Sequence, residues 1–391
     1  MNIISKEKEY VFQTYKRHEL VVDKAKGKYV WDDDGERHLD FFTGISVANM
    51  GHCHPRIMAA IRKQCGKYMH VSNYYYAAPQ VKLAEELVKK SFAGRVFLSN
   101  SGAEACECAI KLARKWGSAS GGRYEIITFN NCFHGRTIAT ISATSQEKLK
   151  KGFEPWLEGF KYAEFNDIDS VKSAVTEKTV AVMLEPIQGE GGIHCATPGF
   201  MKSLRTLCDQ KKLLLICDEI QCGLGRTGEM FAYESAGITP DIITVAKSLG
   251  GGLPLAATVA KDSVALALIA GEHGTTFGGN PVACAAAVEY LRLVTPKLLQ
   301  KVKKTGRYFK WKLEALKTKF ACIKEVRGEG LMLGVELDFN GADVVKFCQQ
   351  KGLLINCTHD TVLRFLPPFI IDKEDVDTAV NILEEALKCQ K

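Results

Sequence analysis

Two residues set the chemistry of this chain. Lys247 follows an apolar run, Ile242-Ile243-Thr244-Val245-Ala246, and precedes a flexible one, Ser248-Leu249-Gly250-Gly251-Gly252. A lysine at the end of an interior strand is costly to keep charged, so it needs a partner or a use for a neutral amine. Asp218, twenty-nine positions earlier, ends a second apolar run, Leu213-Leu214-Leu215-Ile216-Cys217. A lysine able to form a Schiff base, with a buried carboxylate able to pair with a pyridinium nitrogen, is the pair that pyridoxal phosphate chemistry needs.

Other polar segments follow apolar runs in the same way. Ser101-Gly102-Ala103-Glu104 reads as a capped helix start: Ser101 and Glu104 fit a capping box, and Gly102 leaves the helix N–H groups open to a phosphate. Phe133 could stack on a ring, and Arg136 could grip a carboxylate with two N–H groups. Glu190 sits in the glycine-rich turn Gly189-Glu190-Gly191-Gly192, from which it can project into a cleft. Gln221, three residues after Asp218, could reach a ring hydroxyl. Gly223-Leu224-Gly225-Arg226-Thr227-Gly228 matches G-x-G-x-x-G. No helix plainly opens at its end and no ribose-binding acid follows, so a loop over the active site is the better reading than a dinucleotide site. His52-Cys53-His54-Pro55 lacks the spacing of a metal site, and no metal is expected.

These residues need a scaffold that brings strand ends together. Short apolar runs at 95–99, 125–129, 180–184, 213–217 and 241–246 alternate with amphipathic segments at 103–116 and 198–211. That alternation predicts an α/β fold with a mainly parallel sheet covered by helices on both faces. In such folds ligands bind beyond the carboxyl ends of the strands, where the polar segments lie. The C-terminal part differs. An alternating strand at 331–337, a helix near 342–351, strands around 353–356 and 362–365, and a final helix with Val376, Ala379, Val380, Leu383 and Leu387 on one face predict a smaller α+β domain. The run 20–42 has strand-turn-strand character around Asp33-Asp34-Gly35 and is expected to pack with it. The division expected is 1–45 as an N-terminal segment, 46–285 as the large domain and 286–391 as the small domain.

Composition excludes several classes. The chain has 391 residues and a net charge of +7 from 52 basic and 45 acidic residues, interspersed, so no nucleic-acid stripe is expected. No apolar run approaches transmembrane length, and the first residues lack the apolar core of a signal peptide. The 14 cysteines show no paired CxxC spacing, which fits a reducing, cytoplasmic setting.

Taken together, the segments resemble the class III aminotransferases of the fold-type I pyridoxal-phosphate-dependent transferases. The resemblance spans nearly the whole chain. It rests on Gly51-His52-Cys53-His54-Pro55, Ser101-Gly102-Ala103-Glu104-Ala105, Phe133-His134-Gly135-Arg136-Thr137, Glu185 to Gly192, Asp218-Glu219-Ile220-Gln221, Lys247 and Thr275-Thr276-Phe277-Gly278-Gly279-Asn280-Pro281. The resemblance implies pyridoxal 5'-phosphate as cofactor. It gives Lys247 the covalent link and the proton shuttle, Asp218 the pyridine nitrogen, Gln221 the ring oxygen, Phe133 the ring face, and Ser101, Gly102 and Ala103 the phosphate. Thr276 would reach the phosphate of a neighbouring subunit and Thr275 the substrate there, which implies a homodimer with shared active sites.

Within the family, Gly44-Ile45-Ser46-Val47, Ser72-Asn73 and Leu363-Arg364-Phe365-Leu366-Pro367-Pro368 resemble the acetylornithine aminotransferase branch. That implies transfer of the δ-amino group of N2-acetylornithine to 2-oxoglutarate in arginine biosynthesis. Arg136 would hold the far carboxylate and Arg364 the carboxylate beside the keto carbon. Glu190 would pair with Arg364 and release it when a dicarboxylate enters; an unpaired buried arginine costs several kcal/mol. Tyr15 sits like a substrate-contacting tyrosine of ornithine δ-aminotransferases and keeps ornithine open as donor. Ile45 stands where that branch has a second tyrosine, and an isoleucine there also occurs in 4-aminobutyrate aminotransferases. Succinylornithine is a further candidate. His134 is expected to adjust the acyl pocket in some way. A nicotinamide-dependent dehydrogenase built on Gly223–Gly228, or a non-catalytic binding protein, are the readings from other classes.

Overall fold

The structure is a computed structural model that describes residues 3–389; Met1, Asn2, Gln390 and Lys391, at the outer edges of the segments 1–45 and 286–391, lie outside the described residues. The apolar runs assemble into one seven-stranded sheet in the order Gly94–Ser99, Ala256–Lys261, Ile242–Val245, Leu214–Asp218, Thr179–Leu184, Glu125–Phe129 and Phe160–Ala163. All its pairings are parallel except the two made by Ala256–Lys261, which runs antiparallel to both neighbours. Thr179–Leu184, Leu214–Asp218 and Ile242–Val245 are buried at every position, as strands covered on both faces must be.

The period-two geometry of a strand divides these residues between two cores. Leu214 and Ile216 pack with Cys106, Ala109 and Ile110 of the helix Gly102–Ala119. Leu215 and Cys217 face the other way, onto Phe200, Leu204 and Leu207 of the helix Pro198–Lys211. Each fully buried Leu or Ile contributes about 1.5–3 kcal/mol, so the two layers fix which end of every strand faces the same cleft.

The C-terminal part forms an antiparallel sheet in the order Ile323–Glu329, Met332–Leu337, Val362–Phe365, Asn356–Thr358. The N-terminal strands Val22–Lys26, Tyr29–Asp32 and Arg37–Asp40 form another, closed by Leu353–Leu354, which pairs parallel with Arg37–Asp40. The N-terminal run is thus joined to the C-terminal part through one strand pairing. No helix is long and apolar enough to cross a membrane among the described residues.

One local conformation is unusual. Thr43, Gly44, Ile45 and Ser46 are all left-handed, with φ of 50, 61, 63 and 65°. Left-handed backbone costs a non-glycine residue roughly 1–2 kcal/mol, so the turn must be held from outside. Asp40 Oδ1 accepts the N–H groups of Phe42 and Thr43 at 2.8 and 2.7 Å. Thr43 Oγ1 donates to the Leu366 carbonyl at 2.7 Å, and Ser46 Oγ to the Gln221 carbonyl at 3.2 Å.

Candidate active site

Asp218 is the last residue of its strand and sits opposite Thr244 in the ladder. Three residues past Thr244, Lys247 opens a short 3-10 turn with φ of 44°. Sheet register therefore brings the two residues to the same end of adjacent strands. Both line a cavity of about 430 Å³, with Phe133, Arg136, Gln221, His134, Glu185 and the helix start Ser101-Gly102-Ala103.

Lys247 makes no hydrogen bond or ion pair to any described residue. Burial lowers its pKa, Glu190 opposes that shift, and the amine ends at about 8. A large fraction is therefore a neutral nucleophile just above neutral pH.

Asp218 is fixed from four directions. Its Oδ2 lies 2.7 Å from His134 Nδ1 and accepts from the Cys106 thiol at 3.4 Å. Its Oδ1 accepts from Thr244 Oγ1 and from the Ile220 N–H, both at 3.1 Å. Burial opposes a charge on His134, but the Cys132 sulfur and the hydrogen bond to Asp218 outweigh it and raise its pKa well above the ordinary imidazole value. A protonated His134 donates from Nδ1 to Asp218 Oδ2. His134, whose part in the acyl pocket the sequence leaves open, lines the cavity with its ring fully buried and Nδ1 on Asp218. Cys106, His134 and Asp218 also bring ligand-type atoms within 4.8 Å of one another, a grouping that sequence spacing did not suggest. Glu185 was missed as well. It accepts the N–H groups of Phe133 and Gly189 at 2.9 and 3.1 Å and thereby ties two of the loops that line the cavity. Burial pushes its pKa up to about 7.

Glu190 and Arg364, 174 positions apart, form an ion pair at 2.6 Å. Arg364 is fully buried in the strand Val362–Phe365 and also donates to the Gly189 carbonyl, Gln221 Oε1 and Asn356 Oδ1. Burial raises the Glu190 pKa, but Arg364 and Lys247 overcome it and bring it to about 2. The Gln221 amide is engaged here, with Nε2 at 3.3 Å from Glu190 and Oε1 at 3.1 Å from Arg364. Arg136 lines the cavity mouth, exposed. Its guanidinium lies 5.5 Å from the Phe133 ring centre and has no carboxylate partner among the described residues.

Ser101 caps the helix Gly102–Ala119, accepting the Glu104 N–H at 3.3 Å. The capping box is corrected in one respect: Glu104 reaches back to the Asn100 N–H, at 2.7 Å, one residue beyond the expected Ser101. The N–H groups of Gly102 and Ala103 stand in the first turn, where no intrahelical acceptor exists. A Cβ on Gly102 would lie 2.9 Å from Ile220 Cδ1, so this approach requires glycine.

Two expected residues stand elsewhere. Thr275 and Thr276 line a different cavity, of about 960 Å³, beside Tyr74, although Thr275 Oγ1 accepts from Asn100 at the active-site rim. Tyr15 is exposed, packs beside Arg17, and does not line the cavity within this chain. The segment 223–228 is not a loop over the site. Arg226 is completely buried, and none of the six residues lines the cavity.

The sequence profile described as aminotransferase class-III matches residues 10–387, and the chain belongs to that family. Acetylornithine aminotransferase of Methanocaldococcus jannaschii is 54% identical over 387 residues, covering 98% of this chain and 97% of that protein. The solved N-acetylornithine aminotransferase of Stenotrophomonas maltophilia K279a is 39% identical with a TM-score of 0.86, covering 99% of each chain. The solved ornithine aminotransferase of Toxoplasma gondii, which has PLP at partial occupancy in its active site, is 35% identical with a TM-score of 0.95, covering 99% of this chain and 94% of that one. The dehydrogenase reading falls with the family assignment.

Proposed function

We propose that this chain transfers the δ-amino group of N2-acetyl-L-ornithine to 2-oxoglutarate, giving N-acetyl-L-glutamate 5-semialdehyde and L-glutamate, with pyridoxal 5'-phosphate as cofactor. The observation that carries the reading is the Glu190–Arg364 pair at 2.6 Å beside an unpartnered Lys247 amine. A site that must accept a donor with one carboxylate and an acceptor with two needs a second arginine whose charge can be covered and uncovered.

The residues fit the cofactor. Lys247 offers a half-buried amine of lowered pKa for covalent attachment, Asp218 a fixed carboxylate for a pyridinium nitrogen, Phe133 a ring face, and the helix start at Gly102-Ala103 an anion site. When bound, pyridoxal phosphate supplies the electron sink that stabilises charge on the carbon losing its proton. Lys247 then holds and returns that proton. Asp218, held in place by His134, would pair with the ring nitrogen. Arg136 takes the far carboxylate of either substrate. With the donor, Glu190 covers Arg364; with 2-oxoglutarate, Glu190 swings away and Arg364 takes the carboxylate beside the keto carbon. Gln221, engaged by both partners of the pair, is the residue that would contact the ring oxygen.

A second copy of the chain completes the site. Tyr74, Tyr76, Met69 and Phe277, in the segments on either side of the cavity lined by Thr276, are exposed apolar side chains of the kind that mark a contact surface. Burying it against a second copy would carry Thr275 and Thr276 to the partner's cavity and cover the exposed Tyr15. We take 46–285 as the cofactor-binding unit, with 1–45 and 286–391 forming the unit that carries Arg364. The 14 free cysteines favour a reducing, cytoplasmic setting.

Relatives at higher identity are acetylornithine enzymes, whereas the ornithine enzyme of T. gondii superposes better. Backbone similarity does not choose the donor. Ile45, which does not line the cavity within this chain, packs against the cluster that holds Ile187 and Ile193 and offers no phenol to a donor α-ammonium. The test is a single-turnover half-reaction of the cofactor-loaded protein with N2-acetylornithine, ornithine, succinylornithine or 4-aminobutyrate, followed by loss of the bound cofactor's absorbance. Fastest conversion of N2-acetylornithine is expected. Faster conversion of ornithine would overturn the donor assignment and leave the reaction class standing.

A further inference from the structure

Arg226 is a fully buried guanidinium without a carboxylate partner among the described residues, and it does not line the cavity that holds Lys247. All its contacts are to neutral oxygens. Nε donates to Ser46 Oγ at 3.0 Å. One terminal nitrogen donates to the Leu331 and Pro367 carbonyls at 3.0 and 2.6 Å, and the other to Asn49 Oδ1. The plane of the guanidinium lies 4.9 Å from the Phe369 ring centre. A buried cation paired only with neutral groups is expensive, and a hydrophobic residue of similar size would often stabilise the fold more. Its retention calls for a geometric reason.

The contacts supply one. Ser46 Oγ, held by Arg226, donates to the Gln221 carbonyl at 3.2 Å. Pro367, also held by Arg226, stands three residues after Arg364 on the same chain segment. Gln221 and Arg364 meet at 3.1 Å across the Glu190 pair. Arg226 therefore grips both supports of that meeting from behind, one through Ser46 and one through Pro367. The opposite side of the loop is fixed too: the Leu331 N–H donates to the Arg226 carbonyl at 3.0 Å. The same grip holds Ser46 in its left-handed conformation.

We infer that Arg226, acting through Ser46, is a positioning residue that fixes the spacing of Arg364 and Gln221 and so sets the affinity of the uncovered Arg364 for a carboxylate. The inference rests on the proposed role of Glu190 and Arg364. The donor half-reaction is less exposed to this spacing, because Glu190 is a flexible side chain that can follow Arg364 as it shifts. A bound carboxylate, anchored at its other end by Arg136, cannot.

Glutarate separates binding from turnover, since it has both carboxylates and no reacting carbonyl. Its affinity for the cofactor-loaded protein is measured by calorimetry in wild type, Ser46→Ala and Arg226→Lys, beside the single-turnover rate with N2-acetylornithine. Ser46→Ala removes one buried hydrogen bond in the relay and is expected to weaken glutarate about 5–10-fold, with a smaller loss in the donor rate. Arg226→Lys keeps the charge and loses the fork, and should show the same split, larger in size. Equal losses in both readouts, tracking a lowered melting temperature, would mean that Arg226 is only a structural brace and would overturn the inference. An unchanged glutarate affinity in folded Ser46→Ala would overturn it as well. If wild type fails to bind glutarate or convert any donor, the proposed function itself has failed, which is a different result.

Discussion

Glu190→Ala is the sharpest perturbation of the two-substrate logic. It removes the carboxylate 2.6 Å from a guanidinium that is 1% exposed. Stripping one partner from a buried ion pair costs about 3–5 kcal/mol when the remaining charge is left uncompensated. Here the compensation is partial, because Gly189 O, Gln221 Oε1 and Asn356 Oδ1 still accept from Arg364. Water can also reach the place of Glu190, whose side chain is 27% exposed. A figure at or below the foot of that range, about 2–3 kcal/mol, follows from the partial compensation, or roughly 30–150-fold in an equilibrium constant. The sign differs between half-reactions. The donor complex needs Arg364 covered and bears the loss. The 2-oxoglutarate complex needs Arg364 uncovered, so removing the competitor strengthens binding by up to the same factor. Single-turnover rates and saturation curves for each half-reaction, measured separately, give the ratio directly. A shift in their relative specificity of more than tenfold toward 2-oxoglutarate is expected. Equal loss in both halves would refute the switch.

Further expectations follow from the other groups. In the cofactor-free protein Lys247 has a pKa lowered from 10.5 to about 8, so its modification by an amine-selective reagent should rise through pH 8. A half-point near pH 10.5 would show an ordinary, solvated amine. The same shift links to stability: the unfolded chain binds more protons between those values, so the folded form gains stability as pH rises from 8 to 10.5. Lys247→Met should abolish that part of the gain, as read from urea midpoints across the range. Asp218→Asn keeps the shape but offers no charge to a pyridinium. It should lower the half-reaction rate by about 10²–10³-fold or more, with a changed pH dependence of the bound cofactor's spectrum. A mild effect on both would remove Asp218 from its assigned role. Gly102→Val would press against Ile220 and crowd the helix start. It should weaken cofactor retention, measured by equilibrium dialysis, far more than it lowers the melting temperature.

Sequence reading found the parts of this site that local rules control. Glu125–Phe129 and Pro198–Lys211 were legible to the residue, because an apolar run between polar flanks and a Thr-Pro helix start leave few alternatives. Ala256–Lys261 was not, since Ala-Ala-Thr-Val-Ala is as apolar as a helix core and its antiparallel direction comes from its neighbours. Ile323–Glu329 was missed for a similar reason: exposed Lys324 and Glu325 break its pattern where it forms a sheet edge. The His134–Asp218 bond spans 84 positions and the Glu190–Arg364 pair 174, and no spacing rule reports such contacts. The second was anticipated only through a family resemblance. Tyr15 shows the converse: a residue type suited to the site, carried on a segment that this chain alone does not bring there.

The glycines around Arg226 misled for a physical reason. Gly225 and Gly228 have φ of 98 and 90°, which in a sequence reads as freedom to move over a ligand. Here the same freedom lets backbone fold tightly around a guanidinium and bring it to oxygens from three distant segments. Two buried arginines thus serve opposite ends. Arg364 has a carboxylate partner on a turn, which can leave, so its charge is available on demand. Among the described residues Arg226 has only neutral hydrogen-bond partners, most of them backbone carbonyls or side chains locked in a strained turn, and burial, opposed by Tyr290 and Asp40, lowers its pKa to about 9. Its charge answers to no ligand. A movable counter-ion on one arginine is useful only if the arginine itself stays still, and the second, partner-free arginine is placed where it can hold it still.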